Sequence, residues 1–357
     1  MSRVLLVGKG PPDRGGISAF LQTLLGSELT SKHDVRLLNL TRDEVPRAGR
    51  LTAANIRRTL ADARNLRRAA KGADIVHIHT ALVPAVTLVR AGLLCAAARA
   101  GGAKVLVHVH SGLVELWITS VPRRRLARAS LSGANHVVTM SNPTRKALAE
   151  AIGAGKTSVI DNGVDVERFH PGEAADRTPR ILYAGLLTPR KGVVDLINAS
   201  DELAGRGVAH ELVIAGGTPD EGPQDERTVR EAAPVSAQLL GALPYEEMPQ
   251  LYRGSDVFCL PSWFEAMPLS ILEAMASGLP VVATDVGDVR RIVEHGVTGS
   301  VVPPKRPDLL AEALAELLTD ASKRRAMGDA GRKLVEDRFA TRHMIGGIDA
   351  LYGQLLP

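Results

Sequence analysis

The sequence predicts an α/β protein made of two doubly wound, mostly parallel-sheet domains. Three observations predict it. The chain has 357 residues, and domains of roughly 100–200 residues make two the natural division. Short apolar runs alternate with helix-length segments, the pattern of a parallel sheet covered by helices on both faces. That alternation breaks once, at the Gly/Pro/acid-rich run DNGVDVERFHPGEAAD (Asp161–Asp176), and then restarts. The expected domains are 1–168 and 169–340. A final segment, 341–357, has no strand after it and is expected to pack back on the first domain.

In the first half, strands are expected at Arg3–Val7, Val35–Leu40, Ile75–His79, Val105–His110, His136–Met140 and Ser158–Ile160. The segments Ile17–Leu29, Leu51–Ala70, Ala85–Ala100, Pro122–Leu131 and Asn142–Ile152 suit helices. The second half repeats the scheme. Its strands are Arg180–Ala184, His210–Ile214, Ala237–Leu240, Val257–Leu260, Val281–Ala283 and Gly299–Val302. Its helices are Gly192–Ala204, Tyr245–Arg253, Pro268–Ala276, Pro307–Leu318, Lys323–Arg338 and Thr341–Leu355.

Aromatic residues make up only 3%, so Ala, Leu and Val must fill most of the interior. Cys95 and Cys259 both lie in apolar contexts, which indicates no disulfide framework and fits a reducing cytoplasm. MSRVLLVGKG is too briefly apolar for a signal peptide. The richest apolar stretch, Ala81–Ala98, is interrupted by Pro84 and Arg90, short of the ~18 residues a spanning helix needs. The expectation is a soluble cytoplasmic protein, at most peripheral at the inner face of the membrane.

The net charge of +5 is unevenly spread: residues 1–170 hold 25 Lys and Arg against 12 Asp and Glu, and residues 171–357 hold 19 against 27. Arg57, Arg58, Arg64, Arg67 and Arg68 fall in one helical segment, and Arg123, Arg124, Arg125 and Arg128 in another. Such helices suit an anionic lipid surface; the plainer alternative is a solvated face. Nucleic acid is disfavoured, because the basic residues lack interleaved aromatics.

Ligands of open parallel sheets bind beyond the carboxyl ends of strands. After the first strand, Gly15-Gly16 precede a helix, where glycine admits close approach of an anion to free amides. His77, His79, His108 and His110 alternate at two strand ends and so share faces. Imidazole is a common metal ligand, but no carboxylate or cysteine accompanies them. His110, last on its strand, is best placed for a ligand; the others are expected to hydrogen-bond within the fold. In the second half, Arg190 and Lys191 stand at a helix start, where cations oppose the dipole unless an anion is bound. In WFEAMPLSILEAM, Pro268 suits a first helical turn, and the amides of Leu269 and Ser270 offer a phosphate seat. Glu265 lies before that turn and Glu273 within the helix. Carboxylates accept hydrogen bonds from sugar hydroxyls, so acid, phosphate seat and acid suit a sugar, a diphosphate and a ribose in line. The bland alternative is a capping Glu265 and a surface Glu273.

The run WFEAMPLSILEAMASGLPVVATDVGDVRRIVEHGVTGSVVPP resembles the signature region of retaining glycosyltransferases of family 4 (glycosyl transferases group 1), which have the GT-B fold. The Glu-x7-Glu pair is Glu265 and Glu273. Gly15-Gly16, DIVHIHT at Asp74–Thr80, VHVHSG at Val107–Gly112, NGVDVERFHP at Asn162–Pro171 and PRKGV at Pro189–Val193 match in the family's order. The resemblance implies two Rossmann-like domains facing across a cleft, with the last helix crossing back to the first. It implies transfer of a hexose from a nucleoside-diphosphate sugar, UDP- before GDP-, to a glycan, lipid-linked or small-molecule hydroxyl, in cell-surface polysaccharide or glycolipid synthesis. Glu273 would hold the ribose and Glu265 the donor sugar. Amides of Met267, Leu269 and Ser270 would seat the diphosphate, with Lys191 and Arg190 neutralising it. His110 would touch the transferred sugar, and Gly15 and Gly16 would line the donor phosphate. No cofactor or divalent metal is implied. The family usually has Arg after the glycine at Gly185; Leu186 stands here, which shifts charge neutralisation onto Lys191, Arg190 or Arg14. Leu186 is also the one support for an inactive sugar-nucleotide-binding partner. A sugar-nucleotide epimerase of the same architecture is the other alternative, against which NGVD and PRKG argue.

Overall fold

The computed structural model describes residues 1–13, 15–41, 51–173, 177–217, 223–234 and 237–356, side chains of 223–226 aside. Arg14, a candidate phosphate cation, lies outside the described residues. The chain forms two compact units, 1–162 with 342–357, and 163–341. The division thus falls at Asn162 and Gly163 instead of at 168 and 169, because the NGVD segment already pairs within the second unit: Val164 bridges Ala340.

The first unit holds a six-stranded parallel sheet of β1 (Arg3–Gly8), β2 (Asp34–Asn39), β3 (Ile75–Thr80), β4 (Lys104–Val109), β5 (His136–Thr139) and β6 (Thr157–Val159), in the order β2-β1-β3-β4-β5-β6. Near-continuous apolar runs such as VLLV are what a strand buried on both faces requires. Alternation within them separates the two cores. Leu5, Val7, Val76, Ile78, Val105 and Val107 pack to one side. Val4, Leu6, Ile75 and Leu106 pack to the other, against Phe20 and against Ile345, Ile348 and Tyr352 of the C-terminal helix Thr341–Leu355. That helix is tied down further by Asp349, which accepts from His33 (2.8 Å).

The second unit repeats the architecture with β7 (Arg180–Ala184), β8 (Glu211–Ala215), β9 (Gln238–Gly241), β10 (Val257–Leu260), β11 (Val281–Thr284) and β12 (Gly299–Val302), in the order β12-β11-β10-β7-β8-β9. The strand order reverses between β7 and β10, which pair through Ile181–Val257 and Leu182–Phe258. Such a reversal leaves a crevice at the carboxyl ends of the two strands, the position open α/β sheets use for ligands.

Several element ends differ from expectation, each for a local reason. The first helix runs Gly16–Leu25 and stops at Gly26; a separate turn, Leu29–Lys32, follows. The helix expected from Leu51 begins at Ala53, where Thr52 caps the Asn55 amide (3.2 Å). A helix at Pro223–Ala232, after β8, had no apolar periodicity to reveal it. Cys95 and Cys259 are buried and unpaired. No described helix is long and apolar enough to cross a membrane.

Candidate active site

Two loops meet at the reversal point of the second sheet. The loop after β7 closes in a 3-10 turn, Pro189–Lys191, and Gly192 begins the helix Val193–Gly205. Gly192 has φ 65°, and a Cβ there would stand 2.0 Å from the Pro261 carbonyl oxygen. Only glycine lets the two loops approach so closely. The Trp263 amide donates to the Arg190 carbonyl (2.7 Å), and the Trp263 indole donates to Asp195 (2.7 Å). The backbone contacts place Lys191 and Glu265 together although 74 residues separate them: Nζ lies 2.5 Å from Oε1.

Glu265 is buried at 8% exposure and also accepts from the Ser262 hydroxyl (2.7 Å). Ser262 is anchored in turn by Thr284, at the end of β11, whose hydroxyl donates to its carbonyl. Behind Glu265 stands Gly287, φ 54°, where a Cβ would lie 2.1 Å from the Glu265 carbonyl oxygen. Its neighbour Asp288 donates its amide to Ala266 (3.2 Å) and pairs with Arg291. Glycine at 287 is therefore what the packing demands.

The helix after β10 spans Leu269–Ala276, with Pro268 extended at its N-cap (φ −73°, ψ 121°) and no side-chain cap. Pro268 thus sits one position earlier than expected, at the cap and not inside the first turn. A helix start without a side-chain cap leaves first-turn amides, among them those of Leu269 and Ser270, for an anion. Met267, just before it, is buried.

Glu273 lies one turn further on and is 7% exposed. The surface reading is excluded for Glu273, and the capping reading for Glu265, since no side chain caps this helix. The Tyr252 hydroxyl donates to its Oε2 (2.9 Å). Burial pushes the Glu273 carboxyl up to about 7, against the hydrogen bonds of Tyr252 and Tyr245 and the charge of Arg168, all of which favour the anion. Arg168 stacks its guanidinium over the Tyr245 ring (4.4 Å) and donates to the Tyr245 carbonyl (3.0 Å). Sequence reasoning missed Tyr252, Tyr245 and Arg168 as partners of Glu273. Arg168 lies in the hinge segment and Tyr245 at the start of the expected helix Tyr245–Arg253, which begins only at Met248, with nothing local to couple them. Arg190 is exposed beside Lys191, and Leu186 is exposed where the family's usual Arg would stand.

The other candidate residues belong to the first unit. Gly15 is the N-cap of the helix that Gly16 opens, one residue earlier than expected, and its amide is held by Asp13 (2.8 Å). A Cβ at Gly16 would meet nothing within 4 Å, so the turn is open there. His110 follows β4 and shares a hydrogen bond with His79 (Nε2···Nδ1, 3.0 Å). Phe20 packs on His110, with centroids 4.8 Å apart. Burial lowers His110 to about 3, so it is a neutral imidazole at physiological pH. His77, His79 and His108 are deeper still. The expectation that they hydrogen-bond within the fold holds for one nitrogen each of His77 (Tyr352 hydroxyl, 2.7 Å) and His79, and fails for His108, whose ring nitrogens find no partner among the described residues.

Two family models cover the chain: "Glycosyltransferase Family 4" matches residues 14–168 and "Glycosyl transferases group 1" matches residues 165–334. A GDP-mannose-dependent alpha-(1-6)-phosphatidylinositol monomannoside mannosyltransferase from Mycobacterium tuberculosis is 31% identical over 382 residues, covering 94% of each chain. A D-inositol 3-phosphate glycosyltransferase from Nocardia farcinica is 32% identical over 216 residues, covering 56% of this chain and 48% of that one. Among solved structures, sucrose-phosphate synthase from Thermosynechococcus elongatus superposes with TM-score 0.78 at 22% identity over 99% of both chains. At those identities the structural likeness speaks to the fold, which is GT-B.

Proposed function

The chain belongs to glycosyltransferase family 4, and from that membership we propose that it is a retaining mannosyltransferase. Its donor is GDP-mannose and its acceptor a hydroxyl of an inositol-containing or other lipid-linked glycan. The expectation of UDP over GDP is replaced, because the mycobacterial relative that spans 94% of the chain is GDP-mannose-dependent by name. One observation carries the reading: two buried acids, Glu265 and Glu273, flank an uncapped helix start, with Lys191 held on the first acid at 2.5 Å.

Each group then has a task. Glu273, fixed by Tyr252, accepts hydrogen bonds from the ribose diol. The diphosphate sits on the amides of Met267, Leu269 and Ser270, where the helix dipole favours its charge. Arriving phosphate oxygens compete with Glu265 for Lys191. The freed Glu265 turns to the hydroxyls of the sugar, while Lys191, with Arg190 beside it, stabilises the charge that grows on the leaving diphosphate. The C1–O bond loosens with oxocarbenium character. The acceptor attacks from the same face, and the departing phosphate oxygen takes its proton. His110, held neutral, donates or accepts a hydrogen bond at the transferred sugar without adding charge, and Gly15 and Gly16 line the phosphate. Among the described groups near Glu265, none is placed as a covalent nucleophile.

The lipid-linked acceptor is supported by the helix Ala53–Ala70. Exposed Ile56 and Leu60 share one face of it with Arg57, Arg64, Arg67 and Arg68, and such a face can lie on an anionic membrane surface. Flotation with anionic liposomes tests this; binding that is absent or insensitive to salt would count against it.

The donor assignment is tested by thermal shift with GDP-mannose and UDP-glucose. A donor at 100 times its Kd adds about 2.7 kcal/mol to stability, so GDP-mannose is expected to raise Tm by several degrees and UDP-glucose to leave it unchanged. The reverse order would overturn the donor. A β-configured mannoside in the product, read by NMR, would overturn retention.

A further inference from the structure

Four histidines crowd one face of the first sheet. His77 and His79 alternate on β3, and His79 is in register with His108 on β4. His77, His79 and His108 are each at most 5% exposed. Their environment is apolar: Phe20 packs on His79 and His108, and Tyr352 on His77. Yet among the described residues His77 Nε2, His79 Nε2 and both nitrogens of His108 have no hydrogen-bond partner. Buried polar atoms are nearly always satisfied, so four orphans in one cluster call for a partner. One ring nitrogen from each of the three histidines lies within 4.8 Å of the others.

We propose that His77, His79 and His108 form a binding site for a divalent zinc ion. The hydrogen bonds of two of the rings support a metal. Ligating histidines donate their second ring N–H to a fixed partner, which sets the tautomer. In His77 the free nitrogen is Nε2 while Nδ1 meets the Tyr352 hydroxyl at 2.7 Å. In His79 the free nitrogen is again Nε2 while Nδ1 meets His110 at 3.0 Å. Zn–N bonds of about 2.0–2.1 Å set tetrahedral nitrogens roughly 3.4 Å apart, so the rings need to draw together by at most about 1.5 Å and, lying within 14–35° of parallel, to turn until their lone pairs converge. An all-imidazole set suits zinc, nickel or copper and not magnesium or calcium. Zinc takes it in tetrahedral geometry and leaves a fourth position for hydroxide or a small anion. The ion would pin β3 to β4 and hold His79, whose Nδ1–H in turn orients His110. This site lies outside the donor-binding residues of the second unit, and its test does not depend on transferase activity.

The experiment uses the untagged full chain, stripped with EDTA, dialysed, and loaded with Zn2+ or Mg2+. Elemental analysis is expected to find about one tightly held zinc per chain and no magnesium. Co2+ in place of zinc should give the intense visible bands of a tetrahedral nitrogen site. His77→Gln and His108→Gln should weaken binding by more than about tenfold, and His295→Gln, a surface change in the second unit, should not. Tyr352→Phe removes only the hydroxyl that holds His77 and should weaken binding about tenfold; it decides the matter if the histidine variants fail to fold. A wild-type chain that stays free of zinc, six-coordinate cobalt spectra, or full affinity in His108→Gln or Tyr352→Phe would each overturn the proposal.

Discussion

Glu273→Gln separates the stability of the second unit from its donor binding. The carboxyl is pushed up to about 7 from an ordinary 4.5, chiefly by burial. Because the folded form binds its proton more tightly than the unfolded form, the associated stabilisation is complete below about pH 4.5 and is lost as pH rises through about 7. Each pKa unit corresponds to 1.36 kcal/mol, so holding the bare carboxylate above pH 7 costs about 3 kcal/mol. Glutamine keeps the shape and still accepts from Tyr252, but it carries no charge to desolvate. The variant should therefore match wild type in Tm near pH 4.5. At pH 8 it should exceed wild type by several degrees, since 1 kcal/mol moves Tm by about 2–4 °C for a domain of this size. Donor binding should move the other way. Losing charged hydrogen bonds to the ribose, worth about 1.5–3 kcal/mol, raises the donor KM by roughly 10- to 100-fold. Differential scanning fluorimetry across pH and donor titrations read the two effects. An unchanged Tm difference between pH 4.5 and 8 would refute the burial argument, and an unchanged KM would refute the ribose contact.

Three further changes probe the same crevice. Lys191→Ala strands the buried Glu265 and removes the cation for the leaving group, so kcat should fall by about 100- to 1,000-fold in a transfer assay. Gly192→Ala places a Cβ 2.0 Å from the Pro261 oxygen at φ 65°; it should cost about 3 kcal/mol or more, seen as an earlier urea midpoint. Tyr252→Phe takes away a hydrogen bond that favours the Glu273 anion. The ascending limb of kcat/KM against pH should consequently shift to higher pH, and a limb that does not move would mean that Glu273 binds donor in its protonated form.

Much of the molecule was readable along the chain, because the signals are local. A strand such as Val257–Leu260 announces itself by a short apolar run, and its helix by the Pro268 turn that follows. Gly192, at φ 65°, marks a turn that no other residue makes as easily. The misplaced ends have local causes too: Gly26 stops the first helix short of Leu29, and the extended backbone of Pro268 makes it the cap and not a first-turn residue.

What the sequence by itself determined is thus the two sheets, their helices and the loops that carry Lys191, Glu265 and Glu273. Tertiary structure alone decided what those side chains face. The reversal of strand order between β7 and β10 brings Lys191 onto Glu265 across 74 residues. Packing sets Tyr252 on Glu273 and, across 275 residues, Tyr352 on His77. Exclusion of water also buried Glu273, for which the sequence left a surface position open, and left His108 without a partner among the described residues. The physical reason is range. Periodicity and turn chemistry act over a few residues and are written in neighbours, whereas desolvation and long-range pairing depend on which strands lie side by side, and no local stretch encodes that order.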